Sequence, residues 1–280
     1  MELKMNNVVK VIIICIVLIF FIISIYFLKN VLQNKTSNFS IYFFNAGKAD
    51  CILISNNDKY IMIDTGEESL SDEILEYFKN NNITKLDYLI ITHFDKDHVG
   101  SASAIIDNIQ IDNVLQSNYP KESVYYENYL NSLSNKNITP KTISGDETFY
   151  IGDMQMTVNG PTVIYDSNES NNSSLIVSIK NDKFSYLFMG DSQNSRIKDY
   201  LSNHNEQYDF IKIPYHGNYQ KRLTDLLNVV KPKYAVITCS NSEPDVTETA
   251  KLLEELSIKY YLTKDGEITV KLNNNITVVQ

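Results

Sequence analysis

The segment that most restricts how this chain can fold is Thr92-His93-Phe94-Asp95-Lys96-Asp97-His98-Val99-Gly100, which follows the apolar run Leu86 to Ile91. Two imidazoles and two carboxylates lie between positions 93 and 98. The run before them reads as a buried strand, so the polar groups are delivered at a strand end beside a core. Groups crowded in this way repel or desolvate one another, and a divalent cation relieves both problems. A lone His-x-Asp reads as a solvated acidic loop. His-x-Asp-x-Asp-His behind a strand reads as a metal-binding loop.

Three other pieces share the design of an apolar strand ending in a short polar turn. They are Asp64-Thr65-Gly66 after Tyr60 to Ile63, Gly190-Asp191 after Phe184 to Met189, and Tyr215-His216-Gly217 after Phe210 to Ile213. If these strands belong to packed sheets, their turns gather at one edge. His93, Asp95, Asp97, His98, Asp191 and His216 then supply six side chains, enough for one or two divalent ions, with Asp191 suited by type to bridge two. Mixed imidazole and carboxylate donors suit zinc, manganese or iron and not calcium, which takes only oxygens. The implied chemistry is metal-assisted hydrolysis. His204, in Ser202-Asn203-His204-Asn205 beyond a helix end, reads as a surface residue.

The order of elements sets the architecture. Short strands fill Ile41 to Ile63, helix and strand mix from Ser69 to Val158, and strands and helices alternate to the hairpin Ile268 to Val279. Leu86 to Ile91 is expected as one strand, Val99 to Ile106 as a helix, and Asp166 to Ser174 as a loop. Hairpin turns fall at Asn56-Asn57-Asp58 and Asn181-Asp182. That order suits an α/β (α+β) fold, two sheets face to face with helices outside, a four-layer αββα sandwich. The tyrosines between Tyr119 and Tyr129 read as a helix face on the core in preference to a stacking platform for nucleic acid.

The 280 residues carry a net charge of −9, which argues against a broad polyanion-binding surface. Cys15, Cys51 and Cys239 form no Cys-x-x-Cys, so a thiolate zinc site is not expected, and Cys51 and Cys239 read as buried small hydrophobes. Val11 to Leu28 is 18 residues without a charge. At about 1.5 Å per residue it spans about 27 Å as a helix, enough for a bilayer core. We therefore expect a tail and transmembrane anchor over 1–29, a linker over 30–38 and one hydrolase domain over 39–280. The short N-terminal tail favours a single-pass protein in the cell membrane with the domain outside the cytoplasm.

The motifs together resemble the metallo-β-lactamase superfamily, and within it the hydrolase domain of ComEC competence-channel proteins. Phe44-Asn45-Ala46-Gly47-Lys48-Ala49-Asp50-Cys51 is similar to the opening strand and turn, Ile63-Asp64-Thr65-Gly66 to the Asp-Thr-Gly motif, and Thr92 to Gly100 to the central signature. Ser173-Ser174-Leu175, Phe188-Met189-Gly190-Asp191 and Ile213-Pro214-Tyr215-His216-Gly217 resemble the later motifs. The resemblance implies that His93 and Asp95 face one metal, that Asp97, His98 and His216 face the other, and that Asp191 bridges. It makes Asp64 a support for the loop, places Asp50 on a turn lining the site, and lets Asp97 orient the attacking water. The chain departs from the pattern at Asn45, Ala49 and Ser101, and at Tyr215, which replaces the first of two paired histidines and could offer its phenol to substrate. The expected activity is hydrolysis of phosphodiesters, in nucleic acid or another phosphoester, with zinc or manganese. The alternatives are an ester or lactone hydrolase, or a binding module with a decayed site.

Overall fold

In the computed structural model, which describes residues 6–33, 38–163, 165, 170–181, 184–272 and 275–280, the chain divides into two units, Met1–Asn38 and Phe39–Gln280. The first holds one helix, Asn7–Gln33. It runs into the stretch expected as linker, of which residues 34–37 lie outside the described residues. The side chains described within the helix are at 9 and 12–27, and those from Ile12 to Phe27 are exposed. Among the described residues no helix is long and apolar enough to cross a membrane. The expected span over 11–28 extends past those side chains at both ends.

In the second unit, period-two alternation sorts side chains into layers. Ile41, Phe43, Ile52, Ile54, Ile61, Ile63 and Ile90 point one way, into a core shared with Met156, Val158, Val177, Phe188, Phe210 and Val236 of the other sheet. Their neighbours Leu53, Met62, Leu89 and Ile91 point the other way, onto Ile74, Phe78, Ile105 and Tyr129 of the helices Ser71–Asn80, Ala102–Asn108 and Val124–Asn135. Beyond the second sheet, Leu187, Ile211 and Ile237 meet Ile197, Leu226 and Leu253 of the helices Asn194–Asn203, Leu223–Val230 and Thr247–Glu255. Helix, sheet, sheet and helix are stacked in that order. Both faces of the inner strands are buried, which is why they read as continuous apolar runs.

The first sheet has the order Ile276–Val279, Ile268–Leu272, Phe39–Phe43, Cys51–Asn56, Lys59–Thr65, Tyr88–Ile91, Val114–Gln116, Lys141–Thr142. The second has the order Lys259–Leu262, Tyr234–Ile237, Phe210–Lys212, Ser185–Phe188, Ile176–Lys180, Met154–Gly160, Gly145–Ile151. Lys59–Thr65 and Tyr88–Ile91 are parallel, as are Ser185–Phe188, Phe210–Lys212 and Tyr234–Ile237. Parallel strands put their carboxyl ends at one edge, the usual place for a site in such sheets.

Three local expectations differ. Leu86 to Ile91 is not one strand: Lys85–Leu86 pairs with Gln110–Ile111 in a separate ribbon, and Tyr88–Ile91 joins the main sheet. Asp87 makes the break, because its carboxylate accepts from Lys59 Nζ and Tyr60 N, each at 3.0 Å. The helix after the His/Asp loop is a turn, Lys96–Val99, followed by Ala102–Asn108. Gly100 sits between them against backbone, where a Cβ would fall 2.4 Å from Lys96 O and 2.6 Å from Glu68 N. The expected loop 166–174 is described only from Ser170, where Ser170–Ser173 forms a 3-10 turn, and Asp182 of the expected hairpin turn lies outside the described residues. Cys51 and Cys239 are free and buried.

Candidate metal centre

Three histidines meet where the two sheets end, and each is tied down through the nitrogen that faces away from the centre. Asp64 closes the strand Lys59–Thr65 with φ of 55°, a left-handed backbone that Asp tolerates better than most residues. That bend aims its buried carboxylate across to the next strand, where it accepts from Thr92 N (2.7 Å) and Thr92 Oγ1 (2.6 Å) and meets His98 Nδ1 at 2.8 Å. The pairing keeps a proton on His98 Nδ1 and leaves Nε2 for the centre. His216 Nδ1 lies 3.1 Å from Thr238 Oγ1, which itself donates to Asp50 Oδ1 at 2.7 Å. His93 Nδ1 lies 3.2 Å from Thr92 Oγ1 and 3.4 Å from Ser174 Oγ, and that hydroxyl also accepts from Asp191 N at 3.0 Å.

The turn that presents His216 is strained. Tyr215 and His216 have φ of 51° and 52°, two consecutive non-glycine residues in the left-handed region. Tyr215 N donates to Gly190 O (3.2 Å) and Thr249 Oγ1 donates to Gly217 O (2.7 Å), which hold the turn between the strand ends. Beneath it, Lys212 and Asp50 form an ion pair, both fully buried, and Lys212 Nζ also donates to Gly190 O at 3.2 Å.

The inward atoms have no hydrogen-bond partners. His93 Nε2, His98 Nε2, His216 Nε2 and Asp191 Oδ1 are all buried and unpaired. A buried polar atom left so costs about 1–3 kcal/mol, and a divalent ion bound among them relieves that cost for the atoms it takes as donors. Asp191 Oδ2 stands 3.4 Å from His98 Nε2 and 3.1 Å from His216 Nε2, and Asp97 Oδ2 stands 3.6 Å from His216 Nε2. Donors bound tetrahedrally at about 2.0–2.1 Å are separated by roughly 3.3–3.4 Å, so these edges are close to those of a filled site. The donor set therefore fits a metal ion. Three trios that share His98 have the required proximity; His93–His98–Asp191 and Asp97–His98–His216 face the centre, whereas in Asp50–Asp64–His98 the Nδ1 of His98 is already bonded to Asp64.

Charge follows the same geometry. Burial alone would hold the His98 and His216 imidazoles neutral, but Asp191, together with Asp64 for His98 and Asp97 and Asp50 for His216, outweighs it and raises both above the ordinary imidazole value. Burial and the neighbouring His98 push His93 down. Burial would raise Asp191 and Asp97, but the histidines overcome it and hold both carboxyls well below the usual range. Asp50 is also lowered, because Lys212, His216 and His98 outweigh its burial.

Of the residues singled out in the sequence, His93, Asp97, His98, Asp191 and His216 meet at the centre. Asp95 stands apart, with Oδ1 3.9 Å from His93 Nε2 but bonded to Lys121 Nζ. Tyr215 is half-buried on the turn, and its hydroxyl makes no hydrogen bond to the cluster among the described residues. His204 is not at the centre; its ring stacks on Tyr200 at 4.2 Å and Nε2 meets Asp146 Oδ2 at 3.1 Å. Sequence reading passed over Lys212, Thr238 and Lys121. Lys212 left a signal, a lysine inside the apolar run Phe210-Ile211-Lys212-Ile213.

A sequence profile described as "Metallo-beta-lactamase superfamily" matches residues 45–240, which span the strand ends that carry the whole cluster. The chain belongs to the metallo-beta-lactamase superfamily. Proteins of this superfamily are typically metal-dependent hydrolases, and the four-layer arrangement is its fold. ComE operon protein 3 of Bacillus subtilis (strain 168) is 24% identical over 217 residues, covering 74% of this chain and 27% of that protein. This chain thus spans about a quarter of that relative's length. Among solved structures, the metallo-beta-lactamase fold protein YhfI from Bacillus subtilis superposes with a TM-score of 0.58 at 12% identity, over 83% of this chain and 99% of that one. A diphosphatase from the PhnP family superposes with a TM-score of 0.50 at 13% identity, over 86% of this chain and 100% of that one. At such identities these two structures speak for the shared fold.

Proposed function

We propose that this protein is a membrane-anchored phosphodiesterase that works with a divalent metal ion, zinc or manganese. The observation that carries the proposal is the set of buried atoms without hydrogen-bond partners on His93, His98, His216 and Asp191, clustered in two overlapping donor sets. A bound ion would supply a Lewis acid for phosphoryl oxygens and would acidify a water. His98, His216, Asp97 and Asp191 would hold it. Asp64 and Thr238 keep the two imidazoles turned inward, and the Asp50–Lys212 pair braces the floor beneath. Asp97, partly open to solvent and ionised throughout the physiological range, is placed to orient a water toward substrate. Tyr215 stands on the adjoining turn as a donor to a substrate oxygen.

Phosphodiesters are favoured because their anionic oxygens match a divalent centre, and a structural relative is a diphosphatase. The resemblance to the competence-channel hydrolase domain favours nucleic acid among them. The uncharged stretch Val11 to Leu28 is the proposed single-pass anchor, with the hydrolase unit outside the cytoplasm. The test uses the full chain in detergent with manganese or zinc, on bis-p-nitrophenyl phosphate and short DNA, beside lactone and thioester panels. Turnover of the phosphodiesters by wild type and its loss in Asp97→Ala is the expected result. Equal background rates for the two proteins would sink the proposal.

A further inference from the structure

The two trios of donors cannot both be filled, because they share one atom. His98 Nδ1 is committed to Asp64 at 2.8 Å, so only Nε2 is left, and it belongs to both trios. If His98 Nε2 goes to the ion with Asp97 and His216, the other position keeps His93 and Asp191 and needs Asp95 as its third donor. Asp95 is not free to serve. Its carboxylate pairs with Lys121 Nζ, while His93 Nε2 remains 3.9 Å away.

The charges divide accordingly. Asp50 pairs with Lys212 and Asp95 with Lys121, while Asp64 holds the proton on His98 Nδ1 on the side away from the centre. The carboxylates that face the centre are then Asp97 and Asp191. Lys121 stands just ahead of the helix Val124–Asn135, with its side chain about one-third exposed, so it reaches Asp95 from the rim of the site.

We propose that Lys121 is a built-in cation that occupies the role of a second metal ion, making this a one-ion centre. Its ammonium holds Asp95 away from His93 and supplies the positive charge that a second ion would otherwise bring. Lys121 is thus a positioning residue that sets metal stoichiometry, and it rests on the metal-dependent reading above. Removing the ammonium leaves Asp95 with Ser170 as its remaining side-chain donor and lets it turn toward His93 to complete a second set of donors with Asp191.

The experiment is metal counting. The full chain in detergent is loaded with excess manganese or zinc, freed of unbound metal, and analysed for metal per chain by mass spectrometry. Wild type is expected to hold about one ion, and Lys121→Met and Lys121→Gln about two, as the freed carboxylate joins imidazole donors. Lys121→Arg, which keeps the charge, should return the count to that of wild type. Two ions in wild type, or one ion in wild type and in both neutral variants, overturns the one-ion assignment and leaves the hydrolase reading standing. No retained metal in any variant overturns both. Because Lys121 is partly exposed, near-ultraviolet circular dichroism should show the neutral variants folded like wild type. Should one neutral variant misfold, the other decides the matter.

Discussion

Asp64→Asn separates the chemistry of the centre from its fold. The backbone at position 64 has φ of 55°, and Asn adopts that conformation about as readily as Asp, so the turn should survive. The side-chain shape is also kept. What changes is one atom: an amide NH2 replaces the carboxylate oxygen that meets His98 Nδ1 at 2.8 Å, while the remaining oxygen still accepts from Thr92 N. The Thr92 hydroxyl can rotate to accept from the new amide, but His98 Nδ1 must then lose its proton and become the acceptor. The proton moves to Nε2, the atom that faces the metal position, and a protonated nitrogen cannot bind an ion. Restoring the metal-binding tautomer leaves two donors opposed across that contact. Disturbing a partner that orients a ligating histidine typically lowers metal affinity about 10–100-fold, which is about 1.4–2.8 kcal/mol. Titration calorimetry of metal-free wild type and Asp64→Asn with manganese or zinc measures this directly. Weakened binding with unchanged circular dichroism is expected. Equal affinity in the two proteins would refute the argument that Asp64 sets the tautomer of His98.

Three further outcomes follow from the same contacts. Lys212→Met should destabilise the domain by about 3–5 kcal/mol in urea melts, because it strands the buried Asp50 carboxylate, and adding Asp50→Asn should restore part of that loss. Metal binding should release protons above pH 6.5: His98 and His216 are raised above the ordinary imidazole value in the metal-free protein, so their charge stabilises it below about 6.5 and that contribution is lost as pH rises through the raised values. Apparent metal affinity must then climb with pH over that window, and calorimetry in buffers of different ionisation enthalpy counts the protons; a count of zero would contradict the charge assignment. Gly190→Ala should weaken metal binding, since φ there is +51° and the new Cβ would lie 3.0 Å from Ser174 Cβ and 3.2 Å from Thr92 Cβ, prying at the hydroxyl that bonds Asp191 N.

What the sequence discloses and what it conceals divide along a physical line. The layers are legible because Ile52 and Ile54 point into one core while Leu53 points into another, and such periodicity is carried by each strand alone. The His93 to His98 loop is legible because four donors crowd a short segment. The roles of Lys212 and Thr238 are not, since they depend on which strands become neighbours: Asp50 meets them across 162 and 188 positions of sequence. Lys121 escapes notice for a different reason, because a single lysine before a helix looks like any solvated one until its partner Asp95 is placed. The break at Asp87 is similar, for only the fold brings Lys59 and the Tyr60 amide to that carboxylate.

The hairpin Ile268–Val279 closes the first sheet against the strand with which that sheet begins. Ser40 pairs with Lys271 across 231 positions, and Ile41 with Val270. Until the hairpin docks, Phe39–Phe43 is a free sheet edge carrying Phe39, Ile41 and Phe43, an apolar template for another chain. Loop closure over such a distance is slow compared with pairing inside local hairpins. The strand that carries Asp64 and the strand that leads to His98 can therefore form early, while the sheet edge at Phe39–Phe43 stays open to intermolecular pairing until the last hairpin arrives. The final assembly step, and the exposure to aggregation that precedes it, thus belongs to a segment none of whose described residues lies in the metal centre.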